Sequence, residues 1–212
     1  MGECYICAVE QPYVSVVVVN YNVRFFLEQC LRSVETAVQR LEGRYGAGAA
    51  EVWVVDNHSV DGSVEMVAAQ FPWVRLQANK ENLGFSKANN QAIREGSGKY
   101  VLLLNPDTVV EEDTLVRTVE YLEAHEDVGG LGVKMLDGKG RFLPESKRGL
   151  PTPAVAFWKI FGLSALFPKS KVFGGYHLGY LSAEETHEID VLSGAFMMMR
   201  REVLDQVGLL DD

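Results

Sequence analysis

Cysteine is scarce in this 212-residue chain, which contains only Cys4, Cys7 and Cys30. A small, odd number of cysteines argues against a disulfide framework and fits a reducing compartment. Cys4 and Cys7 have the C-x-x-C spacing of zinc ligands, but a structural zinc site usually needs four ligands. Because no second C-x-x-C and no close histidine pair follow, the sequence favours free thiols in an N-terminal leader over residues 1–12.

Long apolar runs and an excess of basic residues are also missing. No apolar run approaches the roughly 20 residues that span a bilayer, and the N-terminus lacks the basic segment and apolar core of a signal peptide. The formal net charge is −9, whereas non-specific nucleic-acid binding depends on Lys and Arg. We therefore expect a cytoplasmic location and no nucleic-acid partner.

Three common catalytic motifs are absent as well. No G-x-G-x-x-G follows the first predicted strand, which argues against a dinucleotide-dependent dehydrogenase. No G-x-x-x-x-G-K-[ST] is present, which excludes a P-loop NTPase at the level of the motif. The nucleophile elbow G-x-S-x-G of α/β-hydrolases is missing too.

The sequence does contain short apolar runs that alternate with segments of helical periodicity. Runs such as Ser15–Val19 and Tyr100–Leu104 are typical of strands buried on both faces of a sheet. Between them, apolar residues recur at helical spacing, for example from Leu27 to Leu41. This alternation predicts an α/β fold with a mostly parallel central sheet flanked by helices, in a single domain over residues 13–212. Further strands are predicted at 128–135 and 189–192, and Ser63 is predicted to be the N-cap of a helix. The alternation ends after about Gly149.

Polar residues follow the predicted strands. Because ligands of parallel sheets bind at the carboxyl ends of the strands, these residues could converge on one ligand. Tyr21 could stack on a ring, Asp56 could accept from a base N–H group, and Asp107 could hold a divalent cation. The alternative is that they form ordinary turns. The clusters are Asn20-Tyr21-Asn22, Asp56-Asn57, Asn82-Leu83-Gly84-Phe85 and Asn105-Pro106-Asp107.

In order and spacing these clusters resemble the inverting family 2 glycosyltransferases of the GT-A fold, especially the bacterial rhamnosyltransferase-like branch. The resemblance extends from about Val14 to Asp212. The matching stretches are Val16–Asn22, Val54–Ser63, Asn82–Asn90, Leu103–Asp107 and Leu192–Phe196.

The resemblance implies a site for a nucleoside-diphosphate sugar. Tyr21 and Asp56 would contact the base, and Asp107 would hold Mg or Mn as the last acid of the family's D-x-D motif. Asn105 departs from the pattern, since many relatives have an acid at that position. The region of the donor sugar and the acceptor would be Ser193, Gly194 and Ala195. The implied nucleotide-binding residues are Asn20, Tyr21, Asn22, Asp56, Asn82, Gly84, Asn89, Asn105 and Asp107.

The implied reaction is sugar transfer with inversion to a saccharide or lipid-linked acceptor, in cell-envelope polysaccharide synthesis. The family's second acidic motif, which supplies the general base, would begin at Gly208–Asp212, where the chain ends. The chain is thus expected to be truncated near that motif, to bind its donor and to transfer little sugar, and the catalytic residue stays unassigned. A non-catalytic nucleotide- or carbohydrate-binding module of the same fold is the alternative.

The aromatic segment from Ala154 to Phe167 leaves two interpretations open. Its side chains could form part of the core or a lid over the acceptor. Alternatively, Trp and Phe beside Lys suit the headgroup region of a bilayer. The segment is too short to span a bilayer, so such a contact would be peripheral, at the inner face of the membrane.

Overall fold

A computed structural model describes residues 11–150, 152–167, 170–173 and 175–211. Most of the predicted leader, with Cys4 and Cys7, lies outside the described residues. Within them the chain forms a six-stranded sheet, seven α-helices and one 3-10 turn at Pro144–Ser146. In chain order the elements are β1 (Val14–Asn20), α1 (Arg24–Tyr45), β2 (Ala50–Asp56), α2 (Ser63–Gln70), β3 (Arg75–Ala78), α3 (Phe85–Glu95), β4 (Tyr100–Leu104), α4 (Thr114–Ala124), β5 (Gly130–Leu131), α5 (Pro153–Ile160), α6 (Leu163–Leu166), β6 (Phe196–Arg200) and α7 (Arg201–Val207).

The sheet has the strand order β3-β2-β1-β4-β6-β5. Strand β1 pairs in parallel with both β2 and β4, and β2 pairs in parallel with β3. Strand β5 pairs with β6 in antiparallel orientation, so the sheet is mixed with a parallel centre. The predicted α/β class and its parallel core are confirmed.

The apolar core lies around the two central strands. Every residue of β4 is buried, and β1 is buried at all but one position, as expected for strands covered on both faces. Helix α1 packs against α2, α4 and β2, and α3 packs against β1 and β2. The buried face of α1 follows the predicted helical spacing and consists of Leu27, Cys30, Leu31, Val34, Ala37, Val38 and Leu41.

Three local predictions are wrong. The apolar run at 128–135 forms a strand only at Gly130–Leu131, because three glycines between 129 and 132 weaken extended structure. The run at 189–192 forms no strand and makes a single bridge between Val191 and Arg148. Ser63 is not the N-cap of α2: Gly62 occupies that position, in a left-handed conformation with φ 80°.

The chain divides into two compact units. The first contains the residues up to Leu131 and those from Met198 onward, and therefore almost the whole sheet. The second is Gly132–Met197, with α5, α6 and a turn in which Asp137 accepts hydrogen bonds from the backbone of Lys139 and Arg141. The sequence indicates a change of pattern at Gly149, later than the boundary at Gly132. The single domain over 13–212 stays a prediction.

The amino ends of the central strands are held together by a buried polar cluster. The carboxylate of Glu51 accepts hydrogen bonds from Ser15 Oγ at 2.7 Å and from the backbone nitrogen of Ser97 at 2.5 Å, and it pairs with Arg75 at 2.9 Å. Burial by itself raises the pKa of Glu51, but these partners outweigh it and lower the pKa. Gly98 donates its N–H to Ser15 Oγ at 2.8 Å, which brings the start of β4 against β1.

Gly98 is predicted to tolerate no side chain. A Cβ atom there would lie 2.4 Å from the backbone nitrogen of Ser15 and 2.7 Å from the backbone carbon of Val14. Gly98→Ala should therefore lower the free energy of unfolding by about 1–3 kcal/mol, the typical cost of overpacking. The matched control is Gly43→Ala in α1, where a Cβ meets nothing within 4 Å. This control should raise stability by up to about 1 kcal/mol, because Ala favours helix over Gly. Urea denaturation measures both changes, and equal effects of the two substitutions would contradict the close approach of β4 to β1.

Candidate functional site

The register of the sheet brings four strand ends to one edge. Asn20, the last residue of β1, is directly opposite Asp56, the last residue of β2. Val18 pairs with Leu104, so the chain leaving β4 emerges beside the end of β1. Asp56 also pairs with Ala78 at the end of β3. The four loops at this edge are called the β1 loop (residues 21–23), the β2 loop (57–62), the β3 loop (79–84) and the β4 loop (105–113).

A buried hydrogen-bond cluster joins the first two strand ends. The side-chain amide of Asn20 donates to Asp56 Oδ1 at 2.7 Å and to Ser59 Oγ at 3.1 Å. The backbone nitrogen of Ser59 donates to Asp56 Oδ2 at 2.8 Å. Asn20 and Asp56 are 0% and 1% exposed. The Asn20–Asp56–Ser59 cluster therefore fixes the start of the β2 loop relative to β1.

The predicted contact between Asp56 and a base is not tested by this geometry. Both carboxylate oxygens already accept one hydrogen bond each from the protein. A carboxylate has about four acceptor positions, so further donors are chemically allowed. Asn20 Oδ1, by contrast, is buried without a hydrogen-bond partner among the described residues. An unpaired buried acceptor is costly, which marks this position as one that a ligand or water donor would satisfy.

A second set of hydrogen bonds joins the β1 and β2 loops. Asn22 has a left-handed backbone with φ 54°, donates its N–H to Ser59 Oγ at 2.9 Å and accepts from the nitrogen of Val60 at 2.8 Å. The carboxylate of Asp61 accepts from the nitrogen of Arg24 at 2.8 Å and from Ser63 Oγ at 2.5 Å. Burial raises the pKa of Asp61, but these hydrogen bonds outweigh it and lower the pKa. Asp61 therefore anchors the starts of α1 and α2, the task that sequence reasoning gave to Ser63.

In the β1 loop, Tyr21 is the predicted base contact whose side chain is accessible to a ligand. Its side chain is half exposed, between the buried Asn20 and the hydrogen-bonded Asn22. A phenol ring that is held by a fixed backbone and half exposed can stack on a planar ring. The predicted stacking role of Tyr21 fits this position and stays a prediction.

The β3 loop is attached to the same edge through amide side chains. Asn57 donates to the carbonyl oxygen of Gly84 at 3.1 Å and accepts from the side chain of Asn79 at 3.0 Å. Gly84 has φ 83°, which explains its glycine, and its N–H donates to Asn82 Oδ1 at 2.9 Å. That N–H is thus already engaged. Asn89 is buried, and its side chain donates to the carbonyl of Phe85 at 2.9 Å.

Sequence reasoning missed the amide pair of Asn90 with the C-terminal segment. Asn90 Nδ2 donates to the carbonyl of Leu210 at 2.8 Å, and the nitrogen of Leu210 donates to Asn90 Oδ1 at 3.1 Å. The two bonds hold the segment before Asp211 against α3. Ser59 and Asn79 were missed as organising residues too, although Asn79 follows directly on the end of β3. Asn90 gave no comparable signal, because its partner lies 120 residues away.

Asp107 differs from Asp56 in being exposed. The backbone of Asn105 accepts from Thr108 N at 3.1 Å and from the Cys30 thiol at 3.7 Å, which fixes the turn before Asp107. Burial, and secondarily the charge of Asp107, raise the pKa of Cys30 to about 12. Cys30 therefore stays a neutral thiol under Asp107.

The described residues contain no group of three or more His, Cys, Asp or Glu side chains that could hold a metal ion by themselves. One exposed carboxylate does fit a cation that is shared with a ligand. Mg²⁺ is typically held by one or two carboxylates and otherwise by water and substrate phosphates. Asp107 is therefore suited to a cation that arrives with a diphosphate.

Ser193, Gly194 and Ala195 belong to the second unit, where the carbonyl of Ser193 accepts from Phe196 N at 3.3 Å in a turn leading into β6.

Beside the β2 loop, an open depression of about 470 Å³ was not predicted from the sequence. Its lining includes Arg24, Ser59, Val60, Gly62, Glu65 and Met66.

Comparison with known proteins identifies the family. The sequence model of glycosyl transferase family 2 matches residues 15–208. The chain therefore belongs to glycosyl transferase family 2, and the predicted family is confirmed.

Two curated relatives illustrate the range of the family. The chain is 26% identical over 208 residues to an N-acetylglucosaminyl-diphospho-decaprenol L-rhamnosyltransferase of Mycobacterium tuberculosis, which covers 93% of the chain and 64% of the relative. It is 35% identical over 132 residues to the succinoglycan biosynthesis protein ExoO of Rhizobium meliloti, which covers 60% of the chain and 36% of the relative. The chain thus spans less than two thirds of the length of these relatives.

Solved structures confirm the GT-A fold. The mannosyltransferase PcManGT from Pyrobaculum calidifontis, in complex with GDP-Man and Mn²⁺, superposes with a TM-score of 0.59 at 22% identity, over 95% of this chain and 48% of that one. S. aureus TarS 1–349 in complex with UDP-GlcNAc gives 0.55 at 21% identity, over 91% of this chain and 46% of that one. At these identities the likeness establishes the fold.

The Asn20–Asp56–Ser59 cluster is predicted to be a stability element as well as part of the site. Asp56→Ala would leave one N–H of the Asn20 amide and the backbone N–H of Ser59 without their acceptors, at about 1–3 kcal/mol for each unpaired buried group. The matched control Asp107→Ala removes an exposed carboxylate and should change stability by no more than about 0.5 kcal/mol. Urea denaturation of both variants measures the difference. If the two variants unfold at the same urea concentration, the cluster does not organise the edge.

Proposed function

We propose that this chain transfers a sugar from a nucleoside-diphosphate sugar to a saccharide or lipid-linked acceptor, with inversion, in cell-envelope polysaccharide synthesis. The observation that carries the proposal is the convergence of the four strand-end loops, with Asp107 exposed at the same edge as the Asn20–Asp56–Ser59 cluster. The relatives support the acceptor class, since one is named for a diphospho-decaprenol substrate and another for succinoglycan synthesis.

The nucleotide is assigned to the β1, β2 and β3 loops. Tyr21 would stack on the base, and Asp56 and Asn20 would meet base N–H groups through the acceptor positions that remain to them. Asn22, Asn82, Gly84 and Asn89 would act mainly by holding the loops, because the contacts described above engage their polar groups with other parts of the protein. The edge is thus largely organised before a ligand arrives, which reduces the entropy cost of binding.

The diphosphate is assigned to the β4 loop, with Asn105 and Asp107. Asp107 would hold a divalent cation, Mg or Mn, together with the diphosphate oxygens, and PcManGT in complex with Mn²⁺ and GDP-Man supports this choice. The cation would neutralise the charge that develops on the departing nucleoside diphosphate. The turn fixed by Thr108 N and the Cys30 thiol keeps the Asp107 carboxylate directed away from the core.

The reaction that fits this arrangement is a single displacement. The acceptor hydroxyl oxygen forms a bond to the anomeric carbon while the bond to the diphosphate oxygen breaks, and a carboxylate takes the hydroxyl proton. No residue of this chain is assigned as that base. Ser193, Gly194 and Ala195 are proposed to line the region of the donor sugar and the acceptor. We place the activity in the cytoplasm, at the inner face of the membrane.

The metal role of Asp107 is tested by nucleotide binding. Isothermal titration with UDP, GDP and dTDP, each with Mn²⁺ and with EDTA, should show tighter binding with Mn²⁺ for the cognate nucleotide. Asp107→Ala should abolish this difference, because the exposed carboxylate is the proposed protein ligand of the cation. The expected loss with Mn²⁺ is about tenfold or more, which corresponds to about 1.4 kcal/mol.

Glu111→Ala is the matched control, since Glu111 is an exposed acid in the same β4 loop. This variant should keep the wild-type response to Mn²⁺. An unchanged metal response of Asp107→Ala would contradict the cation site. Failure of every nucleotide to bind wild type would contradict the donor class, whereas tight binding without any sugar transfer by a longer form of the chain would favour the non-catalytic module.

A further inference from the structure

The second unit has an exposed apolar face at its helices α5 and α6. Helices α5 and α6 carry large apolar side chains that point to solvent, with Ile160 79% and Leu166 70% exposed. Phe157 and Ile160 lie on one side of the end of α5 at spacing i, i+3, and Phe161, directly after the helix, donates its N–H to the carbonyl of Phe157 at 3.0 Å. We call Phe157, Ile160, Phe161 and Leu166 the α5–α6 face.

The opposite side of these helices is already packed. The Trp158 ring meets the Phe173 ring edge-on at a centroid distance of 5.1 Å, and the Phe167 ring lies 5.7 Å from Phe173. A Cβ atom at Gly175 would contact Val155 at 3.5 Å, so the chain runs close to α5 there. These contacts account for the half-buried Trp158 and Phe173 rings but not for the exposed Ile160 and Leu166.

The stretch of sequence that contains α5 and α6 has a charge opposite to that of the rest of the chain. Residues 147–183 contain five basic residues and no Asp or Glu. Since the whole chain has a net charge of −9, the remaining residues carry −14. A cationic, apolar segment in an acidic protein complements an anionic, apolar partner. Juxtamembrane basic residues are attracted to anionic lipid headgroups in the same way.

We propose that the α5–α6 face docks on the surface of a bilayer that contains anionic lipid. Large apolar side chains beside basic residues are the pattern of interfacial helices, which insert their apolar side at the boundary of headgroups and acyl chains. Helix α5 has eight residues and α6 has four, and no described helix is long and apolar enough to cross a membrane. The docking is therefore peripheral. The proposal rests on the proposed function only for its purpose, which is access to a lipid-linked acceptor.

Vesicle co-sedimentation tests the docking directly. Wild type should sediment with vesicles of an equimolar mixture of phosphatidylglycerol and phosphatidylcholine, and much less with pure phosphatidylcholine. Added salt should weaken binding, because it screens the basic residues. Ile160→Ser/Leu166→Ser should lower the partition coefficient roughly tenfold or more, since each exposed apolar side chain contributes buried area in the bilayer.

The control Phe25→Ser/Val207→Ser changes two apolar side chains that are similarly exposed, at 66% and 77%, outside both the α5–α6 face and the loops assigned to the nucleotide. It should bind vesicles as wild type does. Lys171→Glu should weaken binding to anionic vesicles only. Nucleotide titration of each variant shows that it is folded and separates this proposal from the proposed function.

The proposal is overturned if wild type stays in the supernatant with anionic vesicles at low salt. It is also overturned if the two double variants lose binding equally. If wild type instead forms dimers by analytical ultracentrifugation that Ile160→Ser/Leu166→Ser disrupts, and no vesicle binding occurs, the face is a self-association surface and the membrane assignment is wrong.

Discussion

The parallel pairing of β1 with β2 on one side and β4 on the other is the constraint on which the site depends. Once Val14 is in register with Ala50 and Tyr100, Asn20 is necessarily opposite Asp56, and the β4 loop leaves the sheet beside them. Close contact at the amino ends supports this register, since Gly98 brings β4 against Ser15 and Glu51 joins both. Packing at the amino ends of the strands therefore determines which residues meet at their carboxyl ends.

The two acids of the candidate site, Asp56 and Asp107, differ in burial and therefore in what each can bind. Asp56 is enclosed, with both oxygens hydrogen-bonded by neighbouring residues, so it organises the edge and offers only its remaining acceptor positions. Asp107 projects from a turn into solvent and can take a cation without losing a protein partner that the edge needs. A buried acid and an exposed acid at strand ends on either side of β1 suit a ligand with a base at one end and a diphosphate at the other.

Much of this arrangement could be predicted from the sequence because it is local. Continuous apolar runs defined β1, β2 and β4, helical periodicity defined α1, α3 and α4, and the residues after each run indicated the edge that holds the candidate site. Short elements failed for physical reasons. Glycines reduced the predicted strand at 128–135 to two residues, and at α2 the side chain of Asp61 took the role expected of Ser63.

Contacts between distant segments were beyond sequence reasoning. Nothing in the residues around Asn90 indicated that its amide would bind the backbone of Leu210, and nothing around Asn57 indicated its bond to Gly84. Periodicity reports which face of a helix is buried but not which segment covers it. The boundary of the second unit at Gly132 was missed for the same reason, because the division depends on which segments contact each other in space.

Hydrogen–deuterium exchange with and without a nucleoside diphosphate and Mn²⁺ tests the central claim most directly. If the strand-end loops form one nucleotide site, peptides that cover the β1, β2 and β4 loops should exchange more slowly in the complex. Peptides that cover Ser97 and Gly98, at the opposite edge of the sheet, should exchange at the same rate in both states. Protection at the amino edge, or none in the three loops at saturating ligand, would contradict the assignment.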